Sequence, residues 1–407
     1  MERAELIRLL GVPSPAEAAT RDVIVEEREP ALFMKSFAAA VAAGGNVFLA
    51  DPSWGEGERV QFNELASRCA MVNGPSDEAR GWLCIPTGGS SGNLKLARHD
   101  ERTIAAAVKG FCAHFNVEKV NVVGLLPLHH VSGFMAWMRT VLTGGSYVAA
   151  NWKAVESGAR PALPAGSGDW FLSLVPTQLQ RLLGDAEAEE WLRGFRAVFV
   201  GGGPVWPELV EAGAEARLPL AFSYGMTETA AMVTALRPEE FLAGGRGNGA
   251  ALPHATVTIA DDGRIGVEGA SLFCGYWPDC RADGAWWTED TGRFDERGSL
   301  QVLGRRDALI ITGGEKVDPA EVERVLRGTG QFTDVAVIGA RDPQWGEGVV
   351  ACYPAEFAPH DLAAVERVLG SHLAAFKHPK RYVGLDRWPR NAQGKVNRAE
   401  LRRLVER

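Results

Sequence analysis

Five short apolar runs constrain the fold of this chain more than any other feature. Each is bounded by glycine, proline or serine, and several are followed by an apolar pattern of helical spacing. Continuous apolar runs of this length are typical of strands that are covered on both faces. The runs occupy residues 81–86, 120–127, 170–176, 197–200 and 219–224. The sequence therefore predicts a large α/β domain of layered sheets.

A helix is predicted between the first two runs. Asp100 is a suitable N-cap, and apolar residues recur behind it at helical spacing. These residues are Ile104, Ala107, Val108, Phe111, Cys112 and Phe115. A helix with this apolar face would cover the sheet.

The pattern changes after about Gly249. The segments TVTIADDGRIGVEG and GRFDERGSLQVLG alternate apolar and polar residues around Asp-Asp-Gly and Glu-Arg-Gly turns, as antiparallel hairpins do. They predict a small β-rich lobe on the large domain. Beyond it, helices at 319–326, 361–376 and 398–405 and strands at 334–339 and 349–353 predict a separate, small α+β domain. We expect an N-terminal domain of residues 1–304, a connection at 305–308 and a C-terminal domain of residues 309–407.

Composition limits the kinds of partner. The 407 residues are 46% hydrophobic, enough for more than one core, and the formal net charge of -8 offers no basic surface for nucleic acid or an anionic membrane. Small molecules are the expected partners. The six cysteines show no metal-ligand spacing and are predicted to be reduced packing residues. No secretory signal or membrane anchor is visible, so we expect a cytoplasmic location.

Residues Thr87 to Lys95 form a glycine-rich loop, TGGSSGNLK, directly after an apolar run. Glycines allow backbone N–H groups to converge on one anion, hydroxyls add donors, and the lysine adds positive charge. The spacing differs from the Walker pattern of P-loop ATPases. From these residues alone, a phosphate-binding loop and a polar hairpin turn are equally good interpretations.

The same loop contains a G-x-S-x-G pattern at residues 88–92, which is also found at the nucleophile of serine hydrolases. That site needs a helix that starts at the serine. Here LKLAR follows, and the helical pattern begins only near Asp100. A serine hydrolase is therefore a remote alternative.

Seven further segments follow the loop in a fixed order. They are PLHHVSG (127–133), GGGP (201–204), YGMTET (224–229), WTEDTG (287–292), GRRDALIITGGEKVDPAEVE (304–323), FKHPK (376–380) and PRNAQGKVNR (389–398). With them, the sequence resembles the adenylate-forming superfamily of acyl-CoA synthetases, adenylation domains and luciferases from about residue 80 to its end. The resemblance implies a mobile C-terminal domain that swings about a hinge at Asp307.

The resemblance also implies a nucleotide site. The residues implied for the β- and γ-phosphates of ATP are Thr87, Ser90, Ser91 and Lys95. Those implied for adenine, ribose and the rest of the nucleotide are Gly202, Gly203, Tyr224, Asp290 and Arg305. Thr227 would meet the α-phosphate, and Glu228 would bind Mg²⁺, which prefers oxygen ligands. Such a site must neutralise two approaching anions, the carboxylate and the phosphate.

Lys395, in the frame PxNxxGKxxR, resembles the family lysine that holds the carboxylate and α-phosphate oxygens. The implied reaction forms an acyl-adenylate from a carboxylic acid and ATP, and then transfers the acyl group to coenzyme A. ATP, Mg²⁺ and coenzyme A are therefore the expected cofactor and cosubstrates. The chain departs from the usual pattern at Asn93, Leu94 and Glu289, none of which removes a charged ligand.

Within the superfamily, LPLHHVSGF, SLVPTQLQRLL and YGMTETAAMVTAL resemble o-succinylbenzoate–CoA ligases of menaquinone and phylloquinone synthesis. This resemblance implies that His130 and Ser132 line the acyl pocket. It also implies a catalytic role for His130. The candidate polar residues for the second carboxylate of such a substrate are Ser132, Thr177, Gln178 and Arg181. Another aryl- or acyl-CoA ligase and a stand-alone adenylation enzyme that loads a carrier protein are alternatives. A non-catalytic binding protein is disfavoured, because the charged ligands are retained.

Overall fold

The computed structural model divides the chain into two compact units. The first contains Met1–Gly89, Asn93–Thr288 and Gly292–Val302, and the second contains Ser90–Gly92, Glu289–Thr291 and Leu303–Arg407. The structure describes residues 1–12, 20–54, 56–68, 81–88, 94–164, 168–202, 205, 207–306, 309–312, 315–342, 345–390 and 395–406. A large α/β unit followed by a small one confirms the predicted fold class.

Helices and strands alternate along much of the first unit. Its helices are α1 (Arg3–Leu9), α2 (Pro30–Ala42), α3 (Glu56–Ala66), α4 (Glu101–Phe115), α5 (Val131–Thr143), α6 (Trp152–Glu156), α7 (Pro176–Leu182), α8 (Ala186–Arg193), α9 (Pro207–Glu215) and α10 (Pro238–Leu242). Its first strands are β1 (Arg21–Val25), β2 (Gly44–Leu49), β3 (Leu83–Gly88), β4 (Leu94–His99), β5 (Asn121–Gly124), β6 (Tyr147–Ala149), β7 (Trp170–Leu174) and β8 (Ala197–Val200). They are followed by β9 (Leu220–Met226), β10 (Ala231–Ala235), β11 (Ala250–Ala251), β12 (Ala255–Ile259), β13 (Arg264–Gly269) and β14 (Gly275–Tyr276). Strands β15 (Trp286–Phe294) and β16 (Leu300–Arg305) contribute residues to both units.

Two sheets form the main layers of this unit. The first has the order β1-β2-β3-β4-β14, parallel from β1 to β3 and antiparallel at β4 and β14. The second has the order β11-β10-β9-β8-β7-β5-β6, parallel from β6 to β9 and antiparallel at β10 and β11. Strands β12, β13, β15 and β16 form a separate small sheet. This sheet is the predicted β-rich lobe.

Helix α4 lies between the two large sheets. Asp100 caps it and accepts hydrogen bonds from the N–H groups of Arg102 and Thr103, as predicted. Ile104 belongs to the apolar cluster of the first sheet, whereas Phe111 belongs to the cluster of the second. The helix is therefore apolar on two sides, which explains why its apolar pattern is so wide.

The second unit has a core of its own. It contains β17 (Ile310–Thr312), β18 (Glu315–Val317), α11 (Pro319–Gly328), β19 (Ala336–Asp342), β20 (Gly346–Pro354), α12 (Leu362–His372), β21 (Arg381–Leu385) and α13 (Arg398–Val405). Successive residues alternate between the two faces of its sheet: Val337 packs with α11 and α12, and Ile338 packs with α13. The predicted helix 361–376 is too long, because Leu373 adopts an extended conformation and ends α12.

The described cysteines are free thiols in different surroundings. Cys84 and Cys352 are buried, as predicted for packing residues, but Cys280 is exposed, so the packing interpretation is wrong there. Cys69 lies outside the described residues. Among the described helices, none has both the length and the apolar character needed to cross a bilayer.

Candidate active site

Strands β3 and β4 form an antiparallel hairpin that carries the glycine-rich loop. The register pairs Thr87 with Lys95. Directly opposed residues of an antiparallel pair project to the same face, so these two side chains lie next to each other. Ser90 and Ser91 lie outside the described residues. The hairpin thus brings together the first and last residues predicted to hold phosphate.

The hairpin also bears on the serine-hydrolase alternative. Strand β4 begins at Leu94, and the next helix, α4, begins at Glu101. A hydrolase nucleophile at Ser90 would need a helix that continues beyond residue 94, and this part of the chain is strand β4. The structural requirement of a hydrolase nucleophile is therefore not met.

Glu228 lies in a 3-10 turn, Thr227–Thr229, at the end of β9. Its side chain is buried, and the hydroxyl of Tyr276 donates a 2.6 Å hydrogen bond to its Oε1. The Nζ atom of Lys95 lies 4.8 Å from the centroid of the Tyr276 ring. Lys95, Tyr276 and Glu228 therefore form one connected group in the first unit.

His99 fixes the position of this turn. Its Nε2 lies 2.7 Å from the carbonyl oxygen of Thr227, and its Nδ1 lies 3.1 Å from the hydroxyl of Thr103. Because a carbonyl only accepts, we assign the imidazole proton to Nε2. Burial lowers the pKa of His99 to about 4, so the ring is neutral near pH 7. A neutral histidine thus attaches the backbone of Thr227 to β4.

The backbone around Glu228 is unusually constrained. Ala230 and Ala231 have φ values of 49° and 81°, in the left-handed region. The Thr229 hydroxyl donates to the Ala231 carbonyl at 2.6 Å. A Cβ on Gly225 would lie only 2.0 Å from that same oxygen. The glycine of YGMTET is therefore required by the close approach of two backbone segments.

Gly202 and Tyr224 lie at the carboxyl ends of neighbouring strands of the second sheet. Strands β8 and β9 are parallel, with Val200 opposite Phe222. Gly202 follows β8 with φ 80°, and Tyr224 is buried with its hydroxyl 3.5 Å from Oγ1 of Thr288. The carboxyl edge of a parallel sheet is where ligands usually bind in such folds. Gly203 lies outside the described residues.

His130 stands at the N-cap of α5, and Ser132 is exposed in the first turn of that helix. His129 and His130 are both buried, and their ring centroids are 4.4 Å apart. Both lie near Asp51, which the sequence analysis did not single out. Arg181, one of the four polar residues considered for a second carboxylate, is exposed and pairs with Glu156 at 2.5 Å.

Three of the predicted charged residues lie in the second unit. Arg305 lies 3.3 Å from Asp290. The side chain of Lys395 is partly exposed, but loss of hydration at its ammonium group lowers its pKa. The negative charge of Asp290 raises this pKa, and the positive charge of Arg305 lowers it further. These three predicted residues therefore interact electrostatically. Asp307 lies outside the described residues.

The segment that carries Lys395 is attached to the second unit on both sides. On the N-terminal side, Trp388 donates to Asp334 at 2.8 Å and Arg390 pairs with the same carboxylate. The backbone of Arg390 also pairs with that of Val396. These contacts restrain Arg390, five residues before the lysine, and Val396, directly after it.

On the C-terminal side, Arg398 donates to Oε1 of Glu323 at 2.5 Å. Glu323 is only 2% exposed, and it also accepts from the backbone N–H of Val337 at 2.7 Å. The arginine of the PxNxxGKxxR frame thus attaches the start of α13 to α11. This contact restrains the chain shortly after Lys395.

Sequence reasoning missed Tyr276, His99 and Asp51. Tyr276 is 48 residues from Glu228 and lies in a two-residue strand, so no local period marks it. For His99 the sequence did contain a signal. A histidine that ends a strand and directly precedes a helix N-cap is well placed to form a hydrogen bond with another segment of the chain. Asp51 follows the apolar strand β2, where a carboxylate also indicates a site.

Comparison with known proteins identifies the family. The family model described as AMP-binding enzyme matches residues 23–277, and the model described as AMP-binding enzyme C-terminal domain matches residues 321–395. The chain belongs to the AMP-binding enzyme family. The first of these matches contains the β3–β4 hairpin, and the second ends at Lys395.

Two relatives in this family are CoA ligases. The 2-succinylbenzoate–CoA ligase of Listeria monocytogenes serotype 4b is 35% identical over 292 residues, which are 70% of this chain and 62% of that protein. The indoleacetate–CoA ligase of Aromatoleum aromaticum is 31% identical over 344 residues, or 80% of this chain and 67% of that protein. The chain therefore spans less than two thirds of the length of the first relative.

Solved structures of this family share the fold. The o-succinylbenzoate CoA synthetase MenE from Bacillus subtilis, in complex with the acyl-adenylate OSB-AMP, matches with a TM-score of 0.77, covering 98% of this chain and 91% of that one at 24% identity. ATP-bound MatB from Rhodopseudomonas palustris also has a TM-score of 0.77 and 24% identity, covering 99% and 92%. At this identity the two likenesses show the fold alone.

Proposed function

We propose that this AMP-binding enzyme is an ATP- and Mg²⁺-dependent acid–thiol ligase that converts o-succinylbenzoate to o-succinylbenzoyl-CoA through an acyl-adenylate, in menaquinone or phylloquinone synthesis. The observation that carries the proposal is the connected group of Lys95, on the β3–β4 hairpin, with Tyr276 and Glu228. It joins a cation, suited to phosphate, to a buried carboxylate, suited to a metal. The substrate is supported by the 2-succinylbenzoate–CoA ligase that shares 35% identity with this chain.

The described residues fit the polyphosphate of ATP. Lys95 is exposed and lies opposite Thr87, so an ammonium and a hydroxyl are available on one face of the hairpin. Glu228 would hold Mg²⁺ through its carboxylate, which the Tyr276 hydroxyl orients. The metal, when bound, would neutralise phosphate charge. We include Ser90, Ser91 and Gly203 in the same site as predictions.

Lys395 has its role in the first reaction. The substrate carboxylate attacks the α-phosphorus of ATP, a bond to the carboxylate oxygen forms, and pyrophosphate leaves. The Lys395 ammonium would hold the two anionic groups together, which is the electrostatic contribution that this attack needs. Thr227 would donate to the α-phosphate, while Asp290 and Arg305 would bind the ribose side of the nucleotide.

The second reaction transfers the acyl group. The thiol of coenzyme A loses its proton to solvent, and its sulfur attacks the acyl carbon. A C–S bond forms, the bond between the acyl carbon and the phosphate oxygen breaks, and AMP leaves with the electron pair. No cysteine of the chain takes part, because the cosubstrate supplies the sulfur. We propose that the C-terminal domain turns about Asp307 between the two reactions, which removes Lys395 from the acyl group.

The acyl pocket is proposed to include His130 and Ser132. Ser132 lies in the first turn of α5, where a hydroxyl and the helix N-terminus both favour a carboxylate. The relative that acts as an indoleacetate–CoA ligase favours a second candidate, another aryl-CoA ligase. A cytoplasmic location is part of the proposal and is supported by the free cysteines.

The test is product formation with a panel of acids. The purified protein is incubated with ATP, Mg²⁺, coenzyme A and either o-succinylbenzoate, indoleacetate, benzoate, a cinnamate, a fatty acid or amino acids, and AMP and acyl-CoA are quantified. We expect both products, and the highest kcat/KM with o-succinylbenzoate. Preference for another acid would overturn the substrate, whereas AMP formation without thioester would favour an enzyme that loads a carrier protein.

A further inference from the structure

Asp51, His129 and His130 form a buried cluster in the first unit. Their exposed fractions are 2%, 7% and 8%, and one ligand-type atom of each lies within 4.8 Å of the others. Asp51 follows β2, whereas the two histidines stand directly before α5. The cluster therefore lies where the end of β2 meets the start of α5. The proposed binding of ATP does not use Asp51 or His129.

The distances within this cluster are long for hydrogen bonds. Nε2 of His129 is 3.3 Å from Oδ1 of Asp51, and Nε2 of His130 is 3.6 Å from Oδ2. Hydrogen bonds from N–H to oxygen are usually about 2.9–3.0 Å long. Two ligands of a tetrahedral zinc ion, each about 2.0–2.1 Å from the metal, stand about 3.4 Å apart. The distance from His129 to Asp51 is therefore close to the spacing of two atoms that share a cation.

Two of these atoms have no hydrogen-bond partner among the described residues. They are Oδ2 of Asp51 and Nε2 of His129, and both are buried. Oδ1 of Asp51, in contrast, accepts bonds of 2.8 and 2.6 Å from the backbone N–H and the hydroxyl of Ser53. Ser53 thus orients the carboxylate as the partner of a metal-bound carboxylate does. A cation at the cluster would satisfy both of the remaining atoms.

The burial of the cluster agrees with such a role. Asp51 is only 2% exposed, and the two rings beside it are also buried. A buried anion of this kind is costly without a positive partner.

We propose that Asp51, His129 and His130 bind one divalent transition-metal ion, with zinc the best match to two imidazoles and one carboxylate. Three protein ligands leave a fourth position for water or a carboxylate oxygen. This ion is distinct from the Mg²⁺ proposed at Glu228, and its binding does not depend on the ligase function. It would tie the end of β2 to the start of α5.

Elemental analysis tests the proposal directly. Untagged protein is loaded with Zn²⁺ in the presence of excess Mg²⁺, passed through a desalting column and analysed for zinc. We expect about one zinc per chain in the wild type and in His360→Gln and Cys280→Ser, which change an exposed histidine and an exposed thiol. Asp51→Asn and His129→Gln should lose the zinc. Equal zinc in the wild type and in these two variants, or none in any of them, would overturn the site.

A Co²⁺ titration, followed by visible absorption, gives the affinity. Outer-shell changes usually weaken metal binding by about 10–100-fold, so Ser53→Ala should weaken Co²⁺ binding by about tenfold and Asp51→Asn by at least about 100-fold. Because a variant can fail to fold, the melting temperature of the unmodified wild type is also measured with and without Zn²⁺. A metal that binds only the folded chain raises it. An unchanged melting temperature would contradict the proposal.

Discussion

The hydroxyl of Tyr276 donates a 2.6 Å hydrogen bond to Oε1 of Glu228, and the ring of the same tyrosine faces the ammonium of Lys95. One side chain therefore contacts both of the charges assigned to the polyphosphate site. The bond occupies one carboxylate oxygen and fixes the direction of the other. Tyr276 is in this sense a positioning residue of the proposed metal ligand.

Tyr276→Phe should raise the Mg²⁺ concentration needed for half-maximal adenylation by about tenfold, since a hydrogen bond to a charged group contributes about 1.5–3 kcal/mol. The measurement is pyrophosphate release as a function of Mg²⁺. Tyr382→Phe is the matched control, because it removes a 2.7 Å bond to Glu366 in the second unit. If both variants keep the Mg²⁺ dependence of the wild type, Tyr276 does not position the metal ligand.

Glu228→Ala should weaken the Mg²⁺ response more than Tyr276→Phe does, because it removes the proposed ligand itself. The same pyrophosphate assay reports it. Glu118→Ala, a change of an exposed carboxylate, is the control. A Glu228→Ala protein with unchanged metal dependence would show that the ion is held elsewhere.

Lys395→Ala should reduce adenylation by at least about 100-fold, the size expected for loss of a group that stabilises transition-state charge. Thioester formation from supplied acyl-adenylate and coenzyme A should be retained. The two half-reactions are measured separately, with Lys153→Ala, an exposed lysine of the first unit, as control. A comparable loss in both half-reactions would contradict the assigned role.

Arg398→Met should lower the free energy of unfolding of the second unit by about 3 kcal/mol. It removes one of two arginines that pair with the buried carboxylate of Glu323, and Arg327 remains. Arg403→Met removes an exposed pair with Glu400 and should cost less than about 1 kcal/mol. Urea unfolding of both variants provides the comparison. Equal midpoints would mean that the Arg398 pair does not secure the Lys395 segment.

His99 should make the stability of the first unit depend on pH. Above pH 6.5 the His99 ring is neutral in both the folded and the unfolded chain. As the pH falls from 6.5 to about 4, the unfolded chain binds a proton and the folded chain does not. The free energy of unfolding therefore falls by about 3 kcal/mol over this range. The stability gap between wild type and His99→Asn should therefore narrow on acidification. Urea unfolding from pH 8 to pH 5 measures it.

The control for this measurement is His360→Gln, a change of an exposed histidine of the second unit. Its gap to the wild type gives the background against which the change at His99 is measured. A constant gap for His99→Asn would show that the imidazole of His99 titrates normally in the folded chain.

From residue 81 onward the sequence predicted several elements of the fold, because local periods and caps determine them, whereas it predicted none of the elements before that residue. Strand β8 and helix α13 begin and end where the apolar pattern does, and Asp100 caps α4. Helix α12 was predicted too long, since its apolar period continues into Leu373, where the backbone is extended. Local signals thus locate elements better than they locate their ends.

The site was predicted only in part. Motif segments indicated Glu228 and Lys95, but Tyr276 is brought to them by the two-residue strand β14, which has no periodicity of its own. The pairing of Asp51 with the two histidines likewise depends on how β2 and α5 pack. Contacts between distant segments follow from tertiary structure and leave no mark in a single sequence.

The position of β14 has a consequence for synthesis on the ribosome. It pairs with β4, and Arg98 of β4 contacts the carbonyl of Pro278, 180 residues further along the chain. The edge of β4 therefore stays uncovered while the whole second sheet is being made. An open strand edge invites pairing with other chains. A nascent chain released before Gly275 is thus expected to aggregate or to depend on chaperones, although most of its core residues are already present.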